Sequence, residues 1–115
     1  MVKAMTYDEF AQIALSLPDV TEKIGKVEND LFRSERHMAR LRDRKRAMAI
    51  RLPWELCDEL LQTQPDLFFL TPHYHGYPYV LAWLEKLDPA TAERVIRAAW
   101  ESAPEDIPAM KSPRV

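Results

Sequence analysis

The sequence has little of three features that mark common classes of protein. Its 115 residues include one cysteine and two glycines. No apolar run approaches the roughly 20 residues that a membrane-spanning helix needs, and residues 1–14 lack the apolar stretch of a secretory signal peptide. Because a single cysteine cannot form an internal disulfide, we expect a cytoplasmic location. Two glycines also argue against a glycine-rich phosphate loop.

The composition is that of a folded domain. The chain is 47% hydrophobic, 10% aromatic and 30% charged, which is typical of a soluble globular protein. Its length fits one domain. We place a single compact domain at residues 5–103, followed by a flexible, proline-containing tail at 104–115, and we expect a monomer with no membrane contact.

Three helices are predicted from their start signals and apolar spacing. Thr6 and Glu9 form a capping box before a helix over residues 6–16. A proline suits the first turn of a helix, so Pro53 predicts a helix over 53–63. Asp88 is a favourable N-cap for a third helix that extends over 89–102.

Between the first two helices, apolar and charged residues alternate, which is typical of strands with one buried and one solvated face. Asp43–Arg46 predicts the turn of a hairpin, and Gly25 predicts a turn after a first short strand. The other predicted strands are Leu31–Phe32, Ala39–Arg42, Met48–Leu52, Leu67–Leu70 and Tyr79–Leu84. The fold class is therefore α+β: a helix, an antiparallel meander, a helix, two strands and a helix.

Several short segments, in this order, resemble the YjbR/MmcQ-like family of small bacterial proteins. The segments are Ala14–Pro18, the surroundings of Phe32, Met38–Leu41, Ile50–Pro53, Phe68–Tyr79, Val80–Leu84, Asp88–Pro89 and Ala98–Trp100. The resemblance implies a compact α+β fold related to the CyaY-like or secretion-chaperone-like arrangement. It also implies DNA binding, a role suggested for family members from their shape. The family pattern often has lysine where Arg51 stands and tryptophan near Tyr79.

Half of the positive charge lies in one short segment, although the net charge of the chain is −2. Residues 33–51 carry eight lysines and arginines and two acids, so this segment has a charge of +6 and the remainder −8. On a sheet face, these side chains would bind a phosphate backbone with salt-dependent affinity. The candidate nucleic-acid-binding residues are Arg33, Arg40, Arg42, Arg44, Lys45, Arg46 and Arg51. The alternative is a solvated strand face paired with helix acids such as Glu55, Asp58 and Glu59.

The loop over residues 71–79 is the second candidate site. Its residues with binding potential are His73, Tyr74, His75, Tyr77 and Tyr79. Two histidines at this spacing lack the third protein ligand of a zinc site, since His37 is distant in sequence. We therefore expect neither a metal nor another cofactor. The tyrosines have rings on which a base or another ring can stack, but the interpretation we favour is a loop packed by its own aromatic rings.

No pattern in the sequence specifies a reaction. There is no serine nucleophile elbow and no paired-carboxylate signature. Cys57 lies on an apolar helix stripe, where a thiol behaves as a small hydrophobe, and the tryptophans Trp54, Trp83 and Trp100 fall at predicted core positions. We expect a non-catalytic binding module whose first candidate partner is DNA or another polyanion. The alternative is a small-ligand or protein-interaction domain that uses the loop over residues 71–79.

Overall fold

The structure, a computed structural model, describes residues 4–26, 28–42, 44 and 46–109. In these residues three α-helices and six strands follow the predicted order, which confirms the α+β fold class. The helices are α1 (Tyr7–Leu15), α2 (Trp54–Thr63) and α3 (Pro89–Ser102). The strands are β1 (Val20–Ile24), β2 (Asn29–Arg33), β3 (Arg36–Arg42), β4 (Ala47–Arg51), β5 (Phe68–Phe69) and β6 (Tyr79–Trp83). Short 3₁₀ turns lie at Pro72–Tyr74 and Leu84–Lys86.

The helix starts follow the capping signals in the sequence. The Thr6 hydroxyl accepts a hydrogen bond from the Glu9 amide at 3.2 Å, and the Glu9 carboxylate accepts one from the Thr6 amide at 3.0 Å. Asp88 accepts from the Thr91 amide at 2.7 Å at the start of α3. Pro53 is the N-cap of α2 rather than its first helical residue. Among the described residues, no helix is both long and apolar enough to cross a membrane.

All six strands form one antiparallel sheet in the order β1-β2-β3-β4-β6-β5. The predicted meander of three strands is confirmed as β2 to β4 and the first short strand as β1, with Gly25 in the turn after β1 as expected. A side chain at Gly25 would place its Cβ 2.5 Å from the Glu28 carbonyl oxygen, so the tight turn requires glycine here. The sequence did not indicate that β6 would return beside β4, where Val80 pairs with Ile50.

One face of the sheet, the helix face, carries the main hydrophobic core. Side chains from all three helices pack on it together with alternate residues of the strands. Its fully or almost fully buried members include Phe10, Ala14, Leu31, Met48, Ile50, Leu60, Val95 and Ala99. These are the apolar positions that helical and strand periodicity predict.

The opposite face, the loop face, is not solvated throughout, and the expected wet face is wrong for β4. Ala47 and Ala49 point to this face and have no exposed surface. Tyr74 covers them, because the β5–β6 loop folds back over the sheet and packs this ring with Leu81. The strand is therefore buried on both faces, which only the long-range return of the loop explains.

The first residues of the expected flexible tail make contacts with the rest of the domain. Arg36 in β3 forms an ion pair with Asp106 at 2.9 Å, and the indole N–H of Trp54 donates to the Pro108 carbonyl at 2.9 Å. Asp106 and Pro108 therefore contact β3 and the start of α2, respectively. The rest of the proposed tail is outside the described residues.

Candidate functional site

The arginines of the basic segment do not share one face. The Arg33 side chain lies on the helix side, where it donates to the Trp100 carbonyl at 2.8 Å and stacks on that indole ring at 3.9 Å. Arg51 donates to the Ser102 carbonyl at 3.1 Å and to the Glu105 carbonyl. Both guanidinium groups thus bind carbonyls at or just beyond the end of α3, a favourable position for cations.

Arg40 and Arg42 point to the loop face, as their alternation in β3 predicted. Their ion-pair partners come from the β1–β2 turn and β2, rather than from the acids of α2 that sequence reasoning considered. Arg40 Nε lies 3.1 Å from Glu28 and 2.6 Å from Asp30. Arg42 Nη1 lies 3.3 Å from Glu28. The positive charge of this strand is therefore largely balanced within the sheet.

The turn between β3 and β4 holds the remaining basic candidates. Arg44 is exposed and adopts a positive φ of 54°. Arg46 lies 3.8 Å from Glu85 and 5.7 Å from the centre of the Trp83 ring. Lys45 lies outside the described residues. The six candidates that the structure describes consequently occupy three separate places: the end of α3, the loop face of β3 and the turn between β3 and β4.

A cavity of about 320 Å³ opens on the loop face between the sheet and the β5–β6 loop. We call it the tyrosine cavity, and the residues that line it are His37, Arg40, His73, Tyr74, Tyr77 and Tyr79. Five of the six were candidates from sequence. Four belong to the list for the loop over residues 71–79, and the fifth, Arg40, belongs to the basic segment. The structure thus combines residues of both predicted sites in one cavity.

The tyrosines of the cavity differ in exposure. Tyr74 is 7% exposed and its ring centre lies 5.4 Å from that of Tyr79. Tyr77 is 52% exposed, so its ring is accessible from solvent. The rings of His73 and Tyr74 pack edge to face, and their centres lie 4.8 Å apart. His75 does not line the cavity, and no three His, Cys, Asp or Glu side chains in the described residues are grouped to hold a metal ion.

A hydrogen-bonded network of side chains forms one side of the cavity. His37 Nε2 lies 2.8 Å from Asp30 Oδ1, and His37 Nδ1 lies 2.8 Å from the Tyr79 hydroxyl. Arg40 donates from Nε to Asp30 Oδ1 at 2.6 Å and from Nη2 to Asp30 Oδ2 at 3.2 Å. Asp30 and its partners therefore hold Tyr79 in one orientation at the cavity.

The network fixes the charge of its members. Burial opposes ionisation of Asp30, but hydrogen bonds from Arg40 and His37 outweigh it and hold the pKa of that carboxyl below 3.8. Burial also lowers the pKa of His37 below 6.5, and the nearby guanidinium groups add to this effect, while Asp30 opposes it. At neutral pH, Asp30 is a carboxylate and His37 a neutral imidazole.

Sequence reasoning missed His37 and Asp30 as site residues. His37 was considered only as a distant metal ligand, and Asp30 was not considered. The strand register is the information that would have identified them, since Asp30 of β2 pairs with Arg40 of β3. A β-bulge between Leu31 and Phe32 shifts this register, and such a shift cannot be found from alternation alone.

Cys57 and the three tryptophans lie outside the tyrosine cavity. Cys57 is fully buried, as predicted, and lies 3.5 Å from the Leu52 carbonyl. The tryptophans were expected in the core, but Trp54, Trp83 and Trp100 are each half-buried. Trp83 stacks on Phe69 at 4.2 Å on the loop face.

Comparison with known proteins gives no functional identity. No family model matches the chain, so its resemblance to the YjbR/MmcQ-like family stays a prediction. It is 39% identical over 41 residues to an uncharacterized protein of Mycobacterium bovis and to two of Mycobacterium tuberculosis. Each match covers 36% of this chain and 32% of the other protein. The chain is thus matched over about a third of the length of these curated relatives.

Proposed function

We propose that the protein is a binding module that takes a small planar ligand into the tyrosine cavity. The observation that carries the proposal is the convergence of three tyrosine rings and two histidine rings on one cavity beside the Asp30–His37 pair. Ligand sites are typically concave, largely aromatic or apolar, and contain a few oriented polar groups. The tyrosine cavity has each of these features.

The cavity size limits the ligand. At about 320 Å³ it lies at the lower end of the roughly 300–1,000 Å³ range of small-molecule pockets. One or two fused aromatic rings would fill it and stack on the walls at the ring separations that aromatic pairs prefer. Fragments of this size bind with dissociation constants on the order of millimolar.

The proposal is tested by titrating the ¹⁵N-labelled protein with phenol, indole and adenosine. We expect the amide signals of Arg40, Tyr74 and Tyr79 to shift in a saturable manner with at least one of these rings. The amide of Leu60, in the helix-face core, should not shift and serves as an internal reference. If none of the three compounds shifts the cavity signals, the proposal is wrong.

Two histidine variants of the same loop provide a matched comparison. His73→Ala removes a ring that lines the cavity, whereas His75→Ala removes one that does not line it. We expect the first substitution to weaken ring binding several-fold and the second to leave it unchanged. Equal effects of the two would contradict binding in this cavity.

Nucleic-acid binding is our second candidate, in the form of one unpaired base that enters the cavity. The observation that favours it is that the exposed Tyr77 and the guanidinium-bearing Arg40 line the same cavity, since single-stranded binding combines stacking with nearby cations. A duplex backbone is less favourable, because Arg40 and Arg42 would have to leave Glu28 to reach phosphates.

The salt dependence of binding to a fluorescent oligothymidine tests this candidate. Arg40→Gln with Arg42→Gln should reduce the slope of log affinity against log salt by about 1 to 2 units. The control is Arg94→Gln with Arg97→Gln on α3, which should leave the slope unchanged. Absence of binding at low salt would exclude nucleic acid as the partner.

We also propose, from the sequence, membership of the YjbR/MmcQ-like family and a cytoplasmic location. Cys57 is the one cysteine of the sequence and is buried, which suits a reducing compartment. A binding module rather than an enzyme remains our proposal, because the cavity residues show hydrogen bonding that orients groups and no arrangement that identifies a reaction.

A further inference from the structure

The direction of each hydrogen bond at the cavity follows from Asp30. A carboxylate can only accept, and Asp30 Oδ1 lies within 2.8 Å of both Arg40 Nε and His37 Nε2. Nε2 therefore carries the hydrogen of the imidazole. The opposite tautomer would place a lone pair of Nε2 against the carboxylate, with no hydrogen between them.

The next bond in the chain is then determined as well. A neutral imidazole with its hydrogen on Nε2 has a lone pair on Nδ1. The Tyr79 hydroxyl, at 2.8 Å, must donate its hydrogen to that nitrogen. Since a phenol has one hydrogen, Tyr79 Oη can only accept any further hydrogen bond.

We propose that the tyrosine cavity selects planar ligands that donate a hydrogen bond, through O–H or N–H, to Tyr79 Oη. This inference rests on the proposed function and specifies the chemistry of its ligand. Phenols and heterocycles with a ring N–H belong to this class. Planar molecules of the same size that carry only acceptors would leave the oxygen without a donor, which reduces their affinity.

The same network makes the preference depend on pH. A second proton on His37 occupies Nδ1, which then donates to Tyr79 Oη, so the Tyr79 hydrogen becomes available to the cavity. The charged and titratable groups that face His37 are Asp30 from β2, Arg40 from β3, Arg51 from β4 and Tyr79 from β6. Asp30 stays ionised in mild acid and the guanidinium groups stay charged, so within this set the proton enters at His37.

The experiment compares phenol, which donates and accepts, with acetophenone, which only accepts. Dissociation constants are measured by ¹H–¹⁵N titration at neutral pH, and their ratio reports the preference for a donor. Loss of one hydrogen bond corresponds to about a 2- to 10-fold change in affinity. We expect Tyr79→Phe to reduce the preference for phenol by this factor. Tyr7→Phe, which removes the hydroxyl of a tyrosine that does not line the cavity, should retain it.

A pH series provides a second measurement that needs no change at Tyr79. It is carried out in His73→Phe, because His73 is the other titratable ring on the cavity wall. As the ring signals of His37 report its protonation, the preference should move from phenol towards acetophenone. This series also tests the inference if Tyr79→Phe does not fold.

The outcomes separate this inference from the proposed function. If both compounds bind and the ratio is the same in wild type and Tyr79→Phe, the donor preference is wrong while the cavity remains a ring-binding site. A ratio that does not change as His37 is protonated would also overturn it. If neither compound nor any other ring binds, both proposals fail together.

Discussion

The two faces of the sheet carry different types of side chain. The helix face is closed by three helices, and its buried side chains are almost all aliphatic or aromatic. The loop face has a small apolar group around Tyr74 and Leu81, beside a polar network that contains Asp30, His37 and Arg40. One face holds the fold together by buried area, and the other carries the hydrogen-bonding groups of the candidate site.

Most of the stability therefore comes from the helix face, and the binding chemistry lies on the loop face. Apolar burial depends little on pH, because the buried side chains described on the helix face are hydrophobic and carry no charge. The contribution of a carboxylate, imidazole and guanidinium network to the free energy of unfolding changes with pH, because it depends on which of these groups are protonated. Substitutions on the two faces should therefore differ in size and in their response to acid.

The largest effect is expected from Ile50→Ala on the helix face. Ile50 has no exposed surface, so its truncation loses transfer free energy and leaves a cavity, at a cost of about 2–5 kcal/mol. Urea unfolding measures the cost, and it should be the same at neutral and mildly acidic pH. A cost below about 1 kcal/mol would show that the helices do not close this face as described.

Asp30→Asn should have the largest effect on the loop face. The amide keeps one oxygen for His37 Nε2 and Arg40 Nε, but its NH₂ group replaces Oδ2 and cannot accept from Arg40 Nη2. That donor loses its partner and the network loses the carboxylate charge, at a cost of about 1–3 kcal/mol. The control is Glu59→Gln, which removes an exposed ion pair with Arg94 and should cost less than about 1 kcal/mol. Equal costs would mean that the network contributes no more than a surface pair.

The same contrast explains how much of the fold the sequence predicted. Capping at Thr6 and Asp88 and the apolar spacing of each helix are local, so the helix boundaries agree within one residue. The meander also follows from local alternation. The position of β6 beside β4 and the return of Tyr74 over Ala49 depend on contacts between distant residues, which periodicity does not contain.

The candidate site was predicted in its parts rather than as a whole. The loop tyrosines and Arg40 were identified from residue type and alternation, because exposed aromatic and basic side chains have binding chemistry of their own. His37 and Asp30 acquire a role only when β2 and β3 pair in the shifted register. Arg33 and Arg51 were placed with the basic residues, since sequence alone does not show that α3 ends beside them.

As the pH decreases, the loop face should lose its contribution to the free energy of unfolding before the helix face does. The folded-state pKa of His37 lies below its ordinary value of 6.5, so in that window the unfolded chain binds a proton that the folded chain does not. Stability should therefore be complete above 6.5 and fall as the pH decreases below it. The lowered pKa of Asp30 adds a second loss below 3.8.

Urea unfolding of wild type and His37→Gln across this range measures the histidine contribution. The variant should lack the decrease that begins near 6.5 but retain the one that Asp30 produces at lower pH. Identical profiles for the two proteins would contradict the buried, neutral state of His37.

The smallest effect is expected from Glu28→Gln at the rim of the loop face. Glu28 lies within 3.3 Å of both Arg40 and Arg42 but is itself accessible to water, so its loss should cost less than about 1 kcal/mol of stability.

Glu28→Gln is useful because it changes the charge of the loop face with little effect on stability. The loop face gains one net positive charge, because two guanidinium groups lose a shared partner, and salt screening should reduce the stability difference between variant and wild type. If a single-stranded nucleic acid is the partner, Glu28→Gln should tighten oligothymidine binding and steepen its salt dependence. If the partner is an uncharged ring in the tyrosine cavity, phenol should bind both proteins with nearly equal affinity. Measuring the two probes on this one variant therefore separates the candidate functions with little disturbance of the fold.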